Sequence, residues 1–270
     1  MDRKTGALAL VAALVLLFLS PSVTPLRGQQ PDPLGTGTFS ILGYDPATGE
    51  LGAAVQSRVF SVGNGVLWGE AGVGIAATQA IVDVSYGPKA LALLRAGMKP
   101  DAIIKAILDS DPDPGYAGQR WQKAGRQFAV MDPQGNYAAH TGPEASTWAG
   151  NKGGKFCTAQ GNILAGEAVV NNMVKNFEET QGPLSMRLVA ALEGGQAGGG
   201  DTRGQQSAAL LIVKKDCGVW LHNDVVLRLQ VDDNPEPIKE LRRLVERSVQ
   251  SSSRARRAMP GCEGVNGAPK

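Results

Sequence analysis

The feature that most limits the possible folds is a pair of strand-like runs joined by a very short connection. Residues 38–44 and residues 51–60 are both largely apolar, and only Asp-Pro-Ala-Thr-Gly-Glu separates them. In that connection Asp45 can accept hydrogen bonds from nearby amides, Pro46 presets φ, and Gly49 tolerates a positive φ, so the segment predicts a turn. Strands joined this closely pair antiparallel, because a parallel pair needs a crossover of a dozen or more residues.

Turn-forming residues are common along the whole chain. It has 35 glycines and 16 prolines among 270 residues, about 19% together, against roughly 12% in average proteins. The glycines show no collagen-like period and 43% of the residues are hydrophobic, so the composition indicates a globular protein rather than collagen or a disordered chain. A net charge of +2 provides no electrostatic reason to expect nucleic acid. With only two histidines, His-rich metal sites are disfavoured and we predict neither a metal nor a cofactor.

Further strands and helices alternate in groups after the first hairpin. A small-residue strand is predicted over 72–80, buried on both faces, and a second hairpin over 127–140. Apolar periodicity and capping signals then predict helices and strands in the rest of the body. The predicted helices are 86–97, 100–110, a region around 170–177, 183–192 and 235–249, and the later strands are 207–213, 219–222 and 225–231. Hairpins with helices outside them indicate an α+β layered domain.

The two ends of the chain have a different composition from the body. A basic start and 13 apolar residues over 7–19 predict a signal peptide over 1–28 and export to the periplasm or cell exterior. An uncleaved membrane anchor is the alternative. A Pro/Gly linker is expected over 29–37, one domain over 38–250, and a disordered basic tail over 251–270.

Three cysteines lie after the predicted signal peptide, in the part of the chain that we expect to be exported. Cys157 and Cys217 lie in the body and Cys262 in the tail. An oxidising compartment favours one disulfide and one free thiol, without indicating which pair forms. Three unpaired thiols are the other possibility.

Several segments resemble a known family. They are, in chain order, residues 38–52, 56–58, 69–74, 77–80, 86–88, 160–162, 164–166 and 201–209. Together they resemble domain-of-unknown-function family 1028, over about residues 38–249. That family is placed in the N-terminal-nucleophile (Ntn) hydrolase superfamily. The resemblance implies a four-layer αββα sandwich, two antiparallel sheets between helical layers, and leaves the activity open. The resemblance is also compatible with assembly of several copies of the chain into a homo-oligomer.

The resemblance to Ntn hydrolases implies a specific nucleophile. These enzymes use a Thr, Ser or Cys at the start of the mature chain, whose own α-amine is the general base. An amine with a pKa of about 8 can accept the hydroxyl proton near neutral pH, so no histidine is needed. Thr38 begins the first strand, where the superfamily has its nucleophile, and follows Gly37. Its amine becomes available only if the Gly37–Thr38 bond is cut; otherwise Thr38 is an ordinary strand residue.

Seven other polar residues are candidates for the site, each with a structural alternative. Ser57 and Arg58 lie on the predicted second strand. Ser57 is a candidate for substrate binding, and Arg58 either lowers the pKa of the Thr38 amine or lies on the surface. Asn162 either stabilises an oxyanion or caps a loop or helix. The others are candidates for binding a polar substrate: Asp83 after the third strand, and Asp201, Arg203 and Ser207 beside a glycine-rich segment. An ion pair is the alternative for Asp201 and Arg203.

Three function classes follow. The first is an exported amidohydrolase, an Ntn-type enzyme cutting a small peptide-like or cell-wall-derived amide. The second is a non-catalytic binding or envelope-assembly protein with the same fold. The third, a Ser/His hydrolase, is disfavoured because the chain has no G-x-S-x-G motif and because only His140 and His222 are available as a base.

Overall fold

The hairpin at the start of the body is the centre of the first sheet. The structure, a computed structural model, describes residues 37–116, 118, 121–255 and 260–268. Strands β1 (Thr38–Asp45) and β2 (Glu50–Ser57) pair antiparallel, with Thr38 opposite Ser57 and Asp45 opposite Glu50. The strand predicted to run to residue 60 therefore ends at Ser57, where the chain turns away from the sheet.

The first sheet has six antiparallel strands. The four that join the hairpin are β7 (Gly150–Gly154), β8 (Cys157–Asn162), β9 (Ser207–Val213) and β10 (Val225–Val231). Their order across the sheet is β10-β9-β2-β1-β8-β7. Thr38 lies opposite Ser57 on one side and opposite Asn162 on the other. The start of β1 is therefore flanked by the ends of two neighbouring strands.

The second sheet has four antiparallel strands in the order β3-β4-β5-β6. They are β3 (Leu67–Glu70), β4 (Gly74–Ala80), β5 (Arg126–Met131) and β6 (Tyr137–Thr141). A one-turn helix, α1 (Gly63–Val66), leads from the first sheet into β3. As predicted from its small apolar residues, β4 is buried along its whole length.

Helices cover the outer face of each sheet. Two pack on the second sheet, α2 (Tyr86–Arg95) and α3 (Pro100–Ser110). Three pack on the first, α4 (Ala168–Glu179), α5 (Leu184–Ala197) and α6 (Pro237–Ala255). The inner faces of the sheets meet through an apolar cluster that includes Leu42, Leu51, Ile75 and Met131. The predicted four-layer α+β sandwich is confirmed.

Two predicted elements are wrong in detail. Residues 219–222 form no strand; they make an exposed loop in which Trp220 and Leu221 are 84% and 88% accessible. The helix predicted over 183–192 is too short, because α5 continues through Gly194 and Gly195 to Ala197. A Cβ at Gly194 would lie 2.6 Å from the carbonyl oxygen of Asn172, so α4 and α5 pack closely only with glycine there.

The C-terminal segment differs from the predicted disordered tail. Helix α6 continues to Ala255, and a disulfide joins Cys262 to Cys217 in the body. Asn266 is buried, where its side chain accepts a hydrogen bond from Ser185 at 2.6 Å and its backbone N–H donates to Glu50 at 3.1 Å. The segment is ordered because a covalent link and buried polar contacts hold it against the body. Neither can be inferred from its basic composition.

The predicted signal peptide and nearly all of the predicted linker lie outside the described residues. Among the residues that the structure describes, no helix is long and apolar enough to cross a membrane.

A buried ion pair ties the outer helices to the second sheet. Arg126 at the start of β5 donates from Nε to Asp111 Oδ2 at 3.0 Å, and Tyr86 on α2 donates its hydroxyl to the same oxygen. Burial would raise the pKa of Asp111. The hydrogen bonds from Tyr86, the Asp113 amide and Arg126 outweigh burial and hold that pKa below its ordinary value.

Candidate active site

Strand alternation determines which side chains line the space between the sheets. Successive side chains of a strand point to opposite faces. In β1, Phe39 and Ile41 therefore pack on the helices, whereas Leu42 faces the second sheet. Thr38 and Ser40 share the face of Leu42, so a polar pair occupies one end of the space between the sheets.

The polar end is built from several strands. The polar residues on the inner faces there are all at most 2% exposed: Thr38, Ser40, Ser57, Gln79, Gln127, Gln160 and Asn162. Gln79 connects the two sheets, because Ser40 Oγ donates to its Oε1 at 2.6 Å and its Nε2 donates to the carbonyl oxygen of Thr38 at 3.4 Å. Buried polar groups need such partners to offset their lost hydration.

Gln127 extends this network to the neighbouring strands. Its Oε1 accepts hydrogen bonds from Gln79 Nε2 at 2.8 Å and from Asn162 Nδ2 at 3.1 Å. Its Nε2 donates to the carbonyl oxygen of Gly161 at 2.9 Å and to Thr141 Oγ1 at 2.9 Å. The start of β1 is therefore held by side-chain amides from both sheets, which makes the position of Thr38 rigid.

The hydroxyl of Thr38 is linked to the peptide bond that precedes it. Thr38 Oγ1 donates to Ser57 Oγ at 3.1 Å, and Ser57 Oγ donates in turn to the carbonyl oxygen of Gly37. Arg203 Nη2 donates to the same oxygen at 2.5 Å. Two donors, one of them cationic, thus converge on the carbonyl of the Gly37–Thr38 bond.

Asp201 holds the guanidinium of Arg203 in this position. Its Oδ1 accepts from Arg203 Nε at 3.0 Å and its Oδ2 from Nη2 at 2.7 Å. The Asp201 side chain is fully buried and that of Arg203 is mostly buried. A two-point contact of this kind sets the plane of a guanidinium as well as its charge. A Cβ at Gly37 would lie only 2.7 Å from Arg203 Nη2 and 2.9 Å from Ile163 Cβ, so the fit requires glycine.

A small pocket opens beside Thr38. Its volume is about 200 Å³, and its walls come from the chain between β2 and β3 and from the end of β4. Most of the wall is apolar, including Val59, Val62, Val66 and Val82. The nucleophile candidate therefore lies at the edge of a space that can receive a small group.

Five of the eight candidate residues come together at this end of the sandwich: Thr38, Ser57, Asn162, Asp201 and Arg203. Asp201 and Arg203 form an ion pair, which was the alternative to a role in substrate binding. Asn162 lies in β8 rather than in a loop or helix cap, and its amide nitrogen donates to Gln127 instead of pointing to an open position.

The structure separates Arg58 from the role proposed for it. The side chain is exposed and donates from Nη1 to Gln206 Oε1 at 3.2 Å. Because β2 ends at Ser57, Arg58 points away from the space between the sheets. A cation does contact the Gly37–Thr38 peptide bond, at the carbonyl oxygen of Gly37, but it is Arg203, which comes from the segment between α5 and β9.

Asp83 and Ser207 support the backbone. Asp83 Oδ1 accepts from the Ser85 amide at 2.9 Å, which forms the turn before α2, and Ser85 makes no side-chain capping bond. Ser207 Oγ donates to the carbonyl oxygen of Val59 at 2.6 Å and accepts from the Val62 amide at 3.1 Å. Ser207 therefore holds the pocket wall and is not among the residues that line the pocket.

The remaining titratable candidates lie elsewhere. His140 is on β6 near Phe128, and burial lowers its pKa. His222 lies in the exposed loop after Cys217. Cys157 is free and buried, and burial raises the pKa of its thiol to about 12. Among the described residues, no group of three His, Cys, Asp or Glu side chains is arranged to hold a metal ion.

Sequence reasoning missed Gln79 and Gln127 as parts of the site. A signal for Gln79 was present, because it is a long polar residue inside a strand of small apolar ones. Gln127 had no comparable signal, since it appeared only as the first residue of a predicted hairpin.

The chain matches one family model, described as a family of unknown function (DUF1028), over residues 38–241. It is similar to the crystal structure of protein SPO2555 from Silicibacter pomeroyi, titled as a DUF1028 protein. The two are 29% identical with a TM-score of 0.71, over 85% of this chain and 99% of that one.

A slighter likeness is to Anbu (ancestral beta-subunit) from Yersinia bercovieri. It has 11% identity and a TM-score of 0.33, over 79% of this chain and 95% of that one, and supports no inference. No curated protein sequence matches the chain.

Proposed function

This chain belongs to the DUF1028 family, whose function is unknown, and we propose that it is an exported amidohydrolase of the Ntn type. In this proposal the Gly37–Thr38 bond is cut, and Thr38 becomes the N-terminal nucleophile that attacks a peptide-like amide. The observation that carries the proposal is the convergence of Ser57 and Arg203 on the carbonyl oxygen of Gly37, next to the Thr38 hydroxyl.

The same groups account for cleavage of the Gly37–Thr38 bond by the chain itself. Thr38 Oγ1 attacks the carbonyl carbon of Gly37 while its proton passes to Ser57, and Ser57 gives its own proton to the carbonyl oxygen. The Arg203 guanidinium stabilises the partial negative charge on that oxygen in the transition state, before the proton from Ser57 is fully transferred. The carbon–nitrogen bond then breaks, and the proton moves from the oxygen to the Thr38 nitrogen. Water hydrolyses the resulting Gly37–Thr38 ester and leaves a Gly37 carboxylate, the Thr38 hydroxyl and a free amine.

The free amine then supplies the base for turnover. An α-amine has a pKa of about 8, so a useful fraction is neutral near pH 7–8 and can accept the proton of Thr38 Oγ1. The oxygen attacks the amide carbonyl of a substrate, the protonated amine returns its proton to the leaving nitrogen, and water hydrolyses the acyl-enzyme. Departure of Gly37 removes one acceptor from both Ser57 and Arg203, so both can donate to the tetrahedral oxygen of the substrate.

The disulfide supports the export part of the proposal. Disulfides persist in oxidising compartments and are rare in reducing ones. Cys217 and Cys262 are joined, and the disulfide ties the C-terminal segment to the domain. This is the expected use of cysteine in a protein that leaves the cytoplasm.

The mass of the purified protein tests the proposal directly. We expect the chain to begin at Thr38, and we expect Thr38→Ala to retain its upstream residues because the attacking oxygen is missing. Thr38→Ser, which keeps a hydroxyl, should still be cut. A chain that remains uncut on folding and storage, with the same mass in the wild type and Thr38→Ala, would contradict the proposal.

A binding or assembly role is the second candidate. It is favoured by the loop that follows Cys217, where Val219, Trp220 and Leu221 present three consecutive large apolar side chains to solvent. Exposed apolar patches often mark interaction surfaces. An uncut chain that captures a partner through this loop would support that role instead.

A further inference from the structure

The pocket beside Thr38 has the chemistry of a site for an uncharged side chain. Its walls include Val59, Phe60, Val62, Val66 and Val82, and none of the described residues that line it is acidic or basic. A charged group entering such a space loses its hydration and gains no counter-ion. The wall therefore favours apolar groups and excludes carboxylates and ammonium groups.

The polar side chains in the wall already have partners. Thr78 Oγ1 donates to the carbonyl oxygen of Gly65 at 2.8 Å and accepts from Trp68 Nε1 at 3.2 Å. Ser61 Oγ donates to Asp232 Oδ1 at 2.7 Å. The side-chain amide of Gln79 is used in the network between the sheets. These groups hold the wall in place, and the contact surface left for a ligand is the apolar one formed by the valines and Phe60.

The size of the pocket limits the group to one small side chain. Its volume is about 200 Å³. A cavity of about 150 Å³ can hold benzene, and pockets for drug-sized ligands are roughly 300–1,000 Å³. A branched aliphatic or phenyl side chain fits this range, and a second residue does not.

We propose that this pocket binds the side chain on the acyl side of the scissile amide, and that the substrates are amides of small apolar residues such as Val, Leu or Phe. That an amide is cleaved next to this side chain rests on the proposed function of Thr38. The preference for an apolar side chain rests on the pocket walls alone. Since even one methylene in an apolar pocket can change kcat/KM about 10- to 200-fold, a side chain that fills the pocket should gain at least tenfold over none.

Hydrolysis by the mature chain tests the substrate class. The probes are N-acetyl-X-p-nitroanilides in which X is Gly, Ala, Val, Leu, Phe, Glu or Lys. We expect the Leu or Val compound to be cleaved at least tenfold faster than the Gly compound and at least a hundredfold faster than the Glu and Lys compounds. Cleavage of Glu or Lys at a rate equal to or above that of Leu would overturn the proposal.

A variant pair tests whether the pocket is responsible. Val82 follows β4 by two residues, is partly exposed and lines the pocket, so Val82→Phe adds bulk to the pocket wall. Val84, two residues on, is 48% exposed and is not among the lining residues, so Val84→Phe is the matched control. Val82→Phe should reduce the Leu-to-Gly rate ratio at least tenfold, and Val84→Phe should leave that ratio unchanged. An unchanged ratio in Val82→Phe refutes the pocket assignment.

A binding experiment on a variant that lacks the nucleophile tests the pocket assignment separately from the proposed reaction. The probes are 4-methylpentanamide, which carries an aliphatic chain, and succinamate, which carries a carboxylate. Both are titrated into the uncut Thr38→Ala chain and followed by nuclear magnetic resonance. Tighter binding of 4-methylpentanamide, with signals from Val62 and Val66 shifting, supports the pocket even if no anilide is cleaved, and in that case only the proposed function fails. Equal binding of the two probes, or no binding of either, overturns the pocket assignment.

Discussion

Replacing Ser57 by alanine removes the hydroxyl that joins the two reacting groups. Ser57 Oγ accepts from Thr38 Oγ1 at 3.1 Å and donates to the carbonyl oxygen of Gly37. The variant therefore loses both the route for the Thr38 proton and one of the two donors on the developing oxyanion. Arg203, the second donor, remains.

The expected loss of rate follows from the number of hydrogen-bond donors that remain on the oxyanion. Loss of a single oxyanion donor typically slows a reaction about 10²–10³-fold, or about 2.7–4 kcal/mol of transition-state stabilisation. Arg203 still contacts the carbonyl oxygen of Gly37, so the lost donor alone should slow cutting of the Gly37–Thr38 bond by this factor. Loss of the proton route adds to that cost, so the factor is a minimum. The fold should survive, because removing one buried hydroxyl costs about 1–3 kcal/mol.

The assay is a time course of intact mass after the chain is purified uncut from a short induction. Ser207→Ala is the matched control, because Ser207 is the direct cross-strand neighbour of Ser57 in β9 and is equally buried. It also makes two hydrogen bonds, to Val59 and Val62, but it contacts neither Gly37 nor Thr38. We expect Ser207→Ala to be cut at a rate within a few-fold of the wild type.

Two results would refute the reasoning. If folded Ser57→Ala is cut within tenfold of the wild-type rate while Thr38→Ala is not cut, Ser57 is no donor in the reaction. If Ser207→Ala is slowed as much as Ser57→Ala, the effect comes from loosening of the sheet end and not from chemistry. Thermal unfolding of both variants shows whether they lose comparable stability.

Two further predictions follow from the same structure. Gly37→Ala should slow cutting of the 37–38 bond about 100-fold, because the new Cβ lies 2.7 Å from Arg203 Nη2 and must displace the carbonyl by a fraction of an ångström or more. The cutting rate is measured by intact mass, and cutting at the wild-type rate would contradict the prediction. Asp111→Asn should lower the free energy of unfolding at pH 7 by about 3–5 kcal/mol, because the buried Arg126 loses its counter-ion. The pKa of Asp111 is depressed in the folded state, so its contribution is present above its unfolded pKa of about 3.9 and is lost as the pH falls through the folded value. Denaturant unfolding at several pH values should therefore show the difference between the two chains shrinking below about pH 4, and a pH-independent difference would count against the ion pair.

Local patterns predicted most of the architecture. The turn residues after Asp45 indicated the first hairpin, strand-like runs over 127–140 indicated the second, and the apolar periodicity of 100–110 indicated α3. These elements depend on neighbours in the sequence, so residue type and spacing suffice to predict them. The loop at 219–222 was mistaken for a strand because it is apolar, although it pairs with no other strand.

The predictions at the C-terminus failed for a different reason. Residues 251–270 were expected to be disordered because they are basic and rich in Ser and Gly. The disulfide to Cys217 and the burial of Asn266 depend on contacts with distant parts of the chain. Composition has no information about such contacts, and three cysteines alone do not say which two will meet.

The candidate site was predictable only in part. Thr38 was identified through a resemblance, and Asp201 and Arg203 were identified as a polar pair near a glycine-rich segment. Their meeting at Gly37 was not predicted, because more than 160 residues separate Arg203 from Gly37 in the chain. Arg58 was a candidate for the cationic role because it is next to Ser57 in the sequence, with a surface position as the alternative. The structure shows the surface position, because the end of β2 directs Arg58 to solvent.

The sequence by itself determined the strands, their turns and, through alternation, which side chains share a face. Thr38 and Ser40 had to point the same way as Leu42, whatever the sheet packed against. Only the tertiary structure decided that Gln79 and Gln127 from the second sheet would close over that polar end, and that Arg203 would reach the carbonyl of Gly37. Side-chain direction is a local property of the backbone, whereas the partner that a side chain meets depends on how distant strands pair and how the two sheets stack.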